Sequence, residues 1–217
     1  MNRIVILSTI CGILLLITAA CGPTATFDIP QPTGLKNEQH FNKSFVSSYL
    51  STDSSSTLII TDKLITQHYN YTIETIIDSL EKVYHLSGDT LINIKNDNRK
   101  IVLRTDSSII QTHHEIDTIF EFKEGRVLKK YKGQYFLNIQ DNENKKWTVS
   151  KLSLENNMLT LSAIVGKEAI DMLNEITNTP EDTSYSTPNY TIDKKQFKKF
   201  LSSGGFSKID TFLRIKN

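Results

Sequence analysis

From Phe45 to Val165, apolar and polar residues alternate with a period of two, and clusters of Asn, Asp, Ser and Gly cut the alternation into short runs. Successive side chains of a strand point to opposite faces, so this pattern predicts half-buried β-strands. The interruptions carry their own turn chemistry. KNDNRK (95–100) and QDNENKK (140–146) concentrate Asn and Asp, which tolerate left-handed backbone and bond their own chain. Asn156-Asn157 and Glu124-Gly125 suit two-residue hairpin loops. After Val165 the period changes to 3.6. KEAIDMLNEIT (167–177) places Ala169, Ile170, Leu173 and Ile176 on one helical stripe. NTPEDTSYSTPN (178–189) reads as a polar loop. Asp193 and Gln196 have the spacing of a capping box that opens a second helix, with Phe197, Phe200 and Leu201 on one face and Gly204-Gly205 as its stop. FSKIDTFLRI (206–215) returns to strand composition and suits the covering of a sheet edge.

The β region also echoes itself. LIITDKLITQH (58–68) and VLRTDSSIIQTH (102–113) match at an offset of 44 through Thr61/Thr105, Asp62/Asp106, Ile65/Ile109 and Gln67/Gln111. LINIKNDNRK (91–100) and FLNIQDNENKK (136–146) match at an offset of 45, through Asn93/Asn138 and Ile94/Ile139. YLSTDSSSTL (49–58) is a degenerate copy with Asp53 opposite Asp97. Repeats of this length point to serial supersecondary units. The expectation is a mainly β fold: an antiparallel meander of about nine strands in three hairpin-rich units (45–88, 89–133, 134–165). It forms a curved sheet or barrel and is followed by a helical C-terminal part (166–217) with two helices and a last strand.

The N-terminus follows another rule. Arg3 precedes an apolar stretch from Ile4 to Ala20 broken only by Ser8, Thr9, Gly12 and Thr18. That order is the order of a secretory signal, and the run is short for a spanning helix. Thr18-Ala19-Ala20-Cys21 resembles the lipobox of bacterial lipoproteins, with Thr18 where leucine is usual. The resemblance implies cleavage of residues 1–20 between Ala20 and Cys21, and acyl chains such as palmitate on Cys21. It also implies membrane attachment in the cell envelope. Gly22 is not an acidic retention signal, which favours the outer membrane. Cys11 is a poor competitor, because Ile10 fills the position that needs a small residue. Residues 22–34, GPTATFDIPQPTG, have no period and are expected to be a flexible tether, so that 21–34 links the anchor to one β-rich domain at 35–217. Leu35–Ser44 fits a short helix.

Composition then narrows the chemistry. The chain has 25 basic and 24 acidic residues, and loss of Arg3 with the signal equalises them. A neutral chain offers no global attraction to nucleic acid. Once Cys21 is acylated no thiol remains, which removes disulfides, cysteine nucleophiles and thiolate metal sites.

Of the five histidines, His113 and His114 are strand neighbours and point to opposite faces. His68 and His114 have matching parity and can share one face, but no third ligand is indicated, so neither a metal nor a cofactor is expected. Asp62, Asp106 and Asp117 sit beside Thr at turns and read as turn-forming rather than acid–base groups. Neither GxSxG nor GxxxxGK occurs. Lys194, Lys195, Lys198 and Lys199, with Lys208, Arg214 and Lys216, form a basic region suited to an anionic headgroup or glycan, or simply the solvated side of a helix. Tyr131, Tyr135, Phe136 and Trp147 are expected in the core or lining a pocket. Asp78-Ser79-Leu80, Asp89-Thr90-Leu91 and Asp117-Thr118-Ile119 are similar to the acceptor of some bacterial O-glycosylation systems, which implies Ser79, Thr90 and Thr118 as sites. The functional expectation is a non-catalytic envelope lipoprotein that binds an envelope protein or glycan. A lipocalin-like carrier and a hydrolase of envelope polymers are the alternatives, distinguished by an internal cavity or by converging carboxylates and histidines.

Overall fold

The computed structural model describes residues 24–80, 82–179 and 187–215. The expected signal peptide (1–20), the expected cleavage and lipidation site at Ala20 and Cys21, and Lys216 lie outside them. The described chain is mainly β. The central antiparallel path runs β10 (Arg126–Tyr131), β11 (Gln134–Gln140), β12 (Trp147–Glu155), β13 (Met158–Ala163), β15 (Ser207–Arg214), β2 (Ser47–Ser51), β3 (Ser56–Ile60), β4 (Leu64–Ile76), β9 (Ser108–Glu121) and β8 (Leu103–Arg104). β1 (Thr26–Phe27) pairs with β12 and with β14 (Asn189–Tyr190). A separate three-stranded sheet holds β5 (Tyr84–Ser87), β6 (Thr90–Asn93) and β7 (Asn98–Ile101). Nine of these strands have five or more residues.

The path is strongly curved, and connectivity shows why. β9 and β10 stand near opposite ends of it, yet only residues 122–125 join them. Four residues reach at most about 14 Å. The sheet therefore rolls until these strands approach, without pairing into a closed barrel. Glu124-Gly125 turns the chain across this gap and closes no hairpin. The roll is filled by Tyr49, Leu58, Ile60, Ile65, Phe120, Leu128, Tyr135, Leu137, Leu152, Leu159 and Phe212, drawn from almost every strand of the path. Burial of each such side chain contributes about 1.5–3 kcal/mol.

Residues 24–34 do not form a flexible tether. They dock on the outer face of β10–β12. Phe27 is fully buried, and Asn138 clamps Gln31 by accepting from its backbone N–H (2.6 Å) and donating to its carbonyl (2.8 Å). The buried Lys129 ammonium donates to the carbonyls of Pro32 (3.0 Å) and Leu35 (3.4 Å), and burial lowers its pKa. Asp28 accepts from Lys146 (2.7 Å), Asn189 (2.8 Å) and Thr191. The lack of periodicity in this segment reflects a chain that follows grooves rather than forming an element. Leu35–Ser44 is likewise not a helix. The Glu38 N–H bonds the Leu128 carbonyl on the β10 edge (2.8 Å), and the Phe41 N–H bonds the Asp62 carbonyl (2.8 Å). Phe41 thereby enters the roll, with its ring edge-on to Phe120, Phe122 and Tyr135. The N-terminal segment thus passes from the outer face, round an edge strand that would otherwise be open, into the interior.

The C-terminal part covers the outer face. α1 (Lys167–Thr177) and α2 (Lys194–Ser202) bury Ala169, Leu173, Ile176, Phe197 and Phe200 against Phe27, Phe136, Val149, Tyr190 and Phe206. β11 is therefore buried on both sides, with Tyr135 and Leu137 inside the roll and Phe136 under the helices. The Asp193–Gln196 capping box is formed in both directions. The two glycines after α2 have different duties. Gly204 adopts φ +80° with open space around it, whereas a Cβ on Gly205 would lie 2.1 Å from the Phe200 ring. β15 then enters between β13 and β2, so the last strand joins two halves of the sheet instead of covering an edge.

Both copies of the 44-residue echo form the same hairpin. Thr61 N–H donates to the Leu64 carbonyl and Thr61 Oγ1 accepts from Leu64 N–H (2.9 and 3.0 Å); Thr105 does the same with Ser108 (2.8 and 2.9 Å). These threonines, rather than Asp62 and Asp106, close the turns. β4 and β9 then pair so that Asn70 faces His114, its own counterpart in the echo, which gives β3–β4 and β8–β9 a local two-fold relation. The second echo also joins two hairpins, β6–β7 and β11–β12, but these stand in different sheets.

Candidate functional site

β4 and β9 are longer than the strands around them. β3 pairs with β4 only as far as Tyr69, and β8 pairs with β9 only at Ile109 and Ile110. Beyond these limits the two strands continue as a two-stranded arm, in register from Thr66↔Thr118 to Ile76↔Ser108. The arm ends in a 3-10 turn (Ile77–Ser79) and the small sheet, held over a minor core of Leu91, Val102 and Ile109. Such a ribbon leaves backbone donors and acceptors unpaired. Among the described residues no strand pairs with the outer edge of β9 from Gln111 to Glu121.

Three histidines sit on β4 and β9, His113 and His114 on the arm and His68 just before it, where β3 still pairs. His113 stacks on Tyr71 at 5.2 Å on one face, where the Tyr71 hydroxyl donates to Glu115 (2.6 Å) and that hydrogen bond raises the phenol pKa. His114 lies on the opposite face, as strand geometry requires. Its Nδ1 donates to Asn70 Oδ1 (2.7 Å), and its ring centroid is 5.7 Å from that of His68. The shared parity of His68 and His114 therefore does bring them together. Their hydrogen-bond partners are Thr66 and Asn70, not a carboxylate. Among the described residues, no three His, Cys, Asp or Glu side chains gather as a metal site.

The arm, the small sheet at its end and β8 together are also rich in exposed apolar side chains; Tyr71, Ile73, Ile76 and Ile116 are the ones on β4 and β9 themselves. Eight of the fifteen large hydrophobic residues that the described structure exposes lie from Tyr71 to Ile116. Ile101 and Leu103 stand out at 83% and 67% exposed. Sequence periodicity did not single them out, because an alternating strand reads the same whether its apolar face is covered or bare.

The remaining expected sites are scattered. Ser79 is exposed in the 3-10 turn, where its hydroxyl donates to the Ile76 carbonyl (2.7 Å); Thr118 is exposed on β9 and Thr90 is half-buried on β6. Arg214 does not belong to the basic face: its guanidinium donates to the Tyr49 hydroxyl (2.7 Å) and to the Ser44 carbonyl. Tyr131 and Trp147 are half-buried against the outer core, not inside the roll. No described helix is long and apolar enough to cross a membrane. Nothing matches this chain among family models, curated proteins or solved structures.

Proposed function

We propose that this protein is an envelope lipoprotein, anchored through Cys21 to the outer membrane, whose domain is a non-catalytic module that holds a partner protein by strand pairing along β9. The observation that carries this reading is the open β9 edge on an arm with bare apolar side chains. Unpaired edges template the addition of a strand, and monomers rarely leave extended apolar surface without a use. The filled roll favours this module over a carrier, whose ligand would need the space that Phe41, Tyr49 and Phe212 occupy. His68 and His114 face a hydroxyl and an amide rather than a carboxylate, which favours it over a hydrolase built on that pair. The lipobox-like Thr18-Ala19-Ala20-Cys21 supports the anchor.

Two measurements in intact cells test the proposal. Cys21→Ser should move the protein from the membrane to the soluble fraction. A photo-crosslinking residue at Thr112 on the arm should capture a defined protein, while one at Glu168 on α1 should not. A Cys21→Ser form that still pellets fully would overturn the anchor. Equal capture from both positions, or capture from neither, would overturn the arm as the binding element.

A further inference from the structure

A second surface, away from the arm, carries a different chemistry. Between the end of β10, the start of β11 and the last turn of α2 lies an open groove of about 390 Å³. Four lysines line it, Lys132, Lys151, Lys198 and Lys199, together with Tyr131 and Gln134, and no carboxylate does. Only Lys199 has an ion-pair partner among the described residues, the exposed Glu175 at 3.6 Å. The other three ammonium groups lie over aromatic rings. Lys132 and Lys198 stand 5.7 and 5.8 Å from the centre of Tyr131, and Lys151 stands 5.3 Å from that of Phe206.

This arrangement converges like charges without neutralising them. A ring face holds a cation by its quadrupole but leaves the full charge in place. The α2 carbonyl end contributes roughly half a negative charge, too little to offset three unpaired lysines. Glu155 acts on Lys151 only at longer range. Burial lowers the Lys151 pKa, consistent with a cation partly removed from water.

We infer that the groove binds a phosphate-type oxyanion. A phosphoryl group carries about 1.5 to 2 negative charges and three acceptor oxygens, enough to engage three lysines at once. Lysine donates as a compact point charge with rotatable donors, so it can follow a tetrahedral group that has no fixed plane. Gln134 and Tyr131, both neutral, line the same groove. The chain's net charge of only +1 and the small groove fit one such group rather than a nucleic-acid backbone. The phosphomonoester headgroup of phosphatidic acid and a soluble phosphorylated solute share this chemistry.

The test uses the full chain with Cys21→Ser, so that its outcome is independent of lipid anchoring. Inorganic phosphate is titrated against chloride at constant ionic strength, and binding is followed by phosphorus NMR line width. Saturable binding is expected. Lys198→Gln, an exposed change that leaves the core intact, should weaken it about tenfold, as should Lys151→Gln. Lys194→Gln with Lys195→Gln, on the same helix but outside the groove, should weaken it less than about twofold. Phosphatidic acid vesicles that compete with phosphate, where phosphatidylcholine vesicles do not, would support the groove and identify a headgroup. Failure of both vesicle types to compete, with phosphate binding intact, would support it and identify a soluble ligand. Phosphate that broadens no more than in the Lys198→Gln form, or equal losses in the groove and control variants, would overturn the inference.

Discussion

Gly205→Ala adds one methyl group at the end of α2, and the structure sets its cost. The new carbon would lie 2.1, 2.3 and 2.4 Å from Cε2, Cζ and Cδ2 of Phe200. Carbon contacts settle near 3.5–4.0 Å, so the ring must retreat by about 1.5 Å. It has little room: Phe200 is fully buried and packs 5.7 Å from Phe206, which in turn meets Phe136 and Phe197 at 5.9 and 6.1 Å. Overpacking of this kind costs about 1–3 kcal/mol, and a ring blocked on several sides puts this case near 3 kcal/mol. Urea unfolding, followed by the fluorescence of the single tryptophan, Trp147, at the margin of the same core, measures it. With a slope near 2 kcal/mol/M the midpoint should fall by about 1.5 M. Gly204→Ala is the comparator. It meets nothing within 4 Å but places a side chain at φ +80°, and should cost about 1 kcal/mol. In a Phe200→Leu background, Gly205→Ala should lose most of its penalty, a coupling of about 2 kcal/mol. A Gly205→Ala protein within about 0.5 kcal/mol of the parent would refute the steric reasoning.

Phe41→Ala should destabilise the protein by about 3–5 kcal/mol, because the ring fills the roll where β9 and β10 approach; hydrogen exchange should show lost protection along β10, and a cost under about 1 kcal/mol would show that the roll closes without it. Asp28→Asn should separate from the parent in a pH-dependent way. Lys146, then Thr191 and Asn189, hold the Asp28 carboxyl well below the usual carboxylate range. Its stabilising contribution is therefore complete above the unfolded-state value near 4 and fades as pH falls through the depressed folded value. The stability gap between parent and variant should be constant from about pH 5 to 7 and shrink in stronger acid; a gap that widens on acidification would contradict it.

Much of the architecture was legible because its causes are local. Hairpin turns, the capping box and the stripe of α1 follow from neighbouring residues, and the 44-residue echo marks two hairpins that pair with each other. What escaped depends on distant partners. GPTATFDIPQPTG looks like a tether because its order is supplied by Asn138, Lys129 and Lys146, more than 90 positions away. Asn138 itself read as one member of a repeated pair with Asn93. In the structure it clamps Gln31, while Asn93 only accepts from the Lys95 N–H at a turn. The lysine groove was half visible: the run on α2 gave Lys198 and Lys199, but Lys132 and Lys151 join them only through packing.

The docking of residues 24–45 also sets a load path. Thr24 already bridges Val165, so only Gly22 and Pro23 separate Cys21 from the fold. Tension at an anchored Cys21 would enter the domain at that bridge and peel the segment outward in sequence order. β1 would come away first, then the Gln31–Asn138 clamp, then the Glu38 contact on β10. Phe41 would leave last and would take with it the ring that seals the roll. Mechanically the segment is a rip cord: resistance is spread over a series of small steps, the first of which draws Phe27 from the outer core, and the roll stays shut until the final one gives.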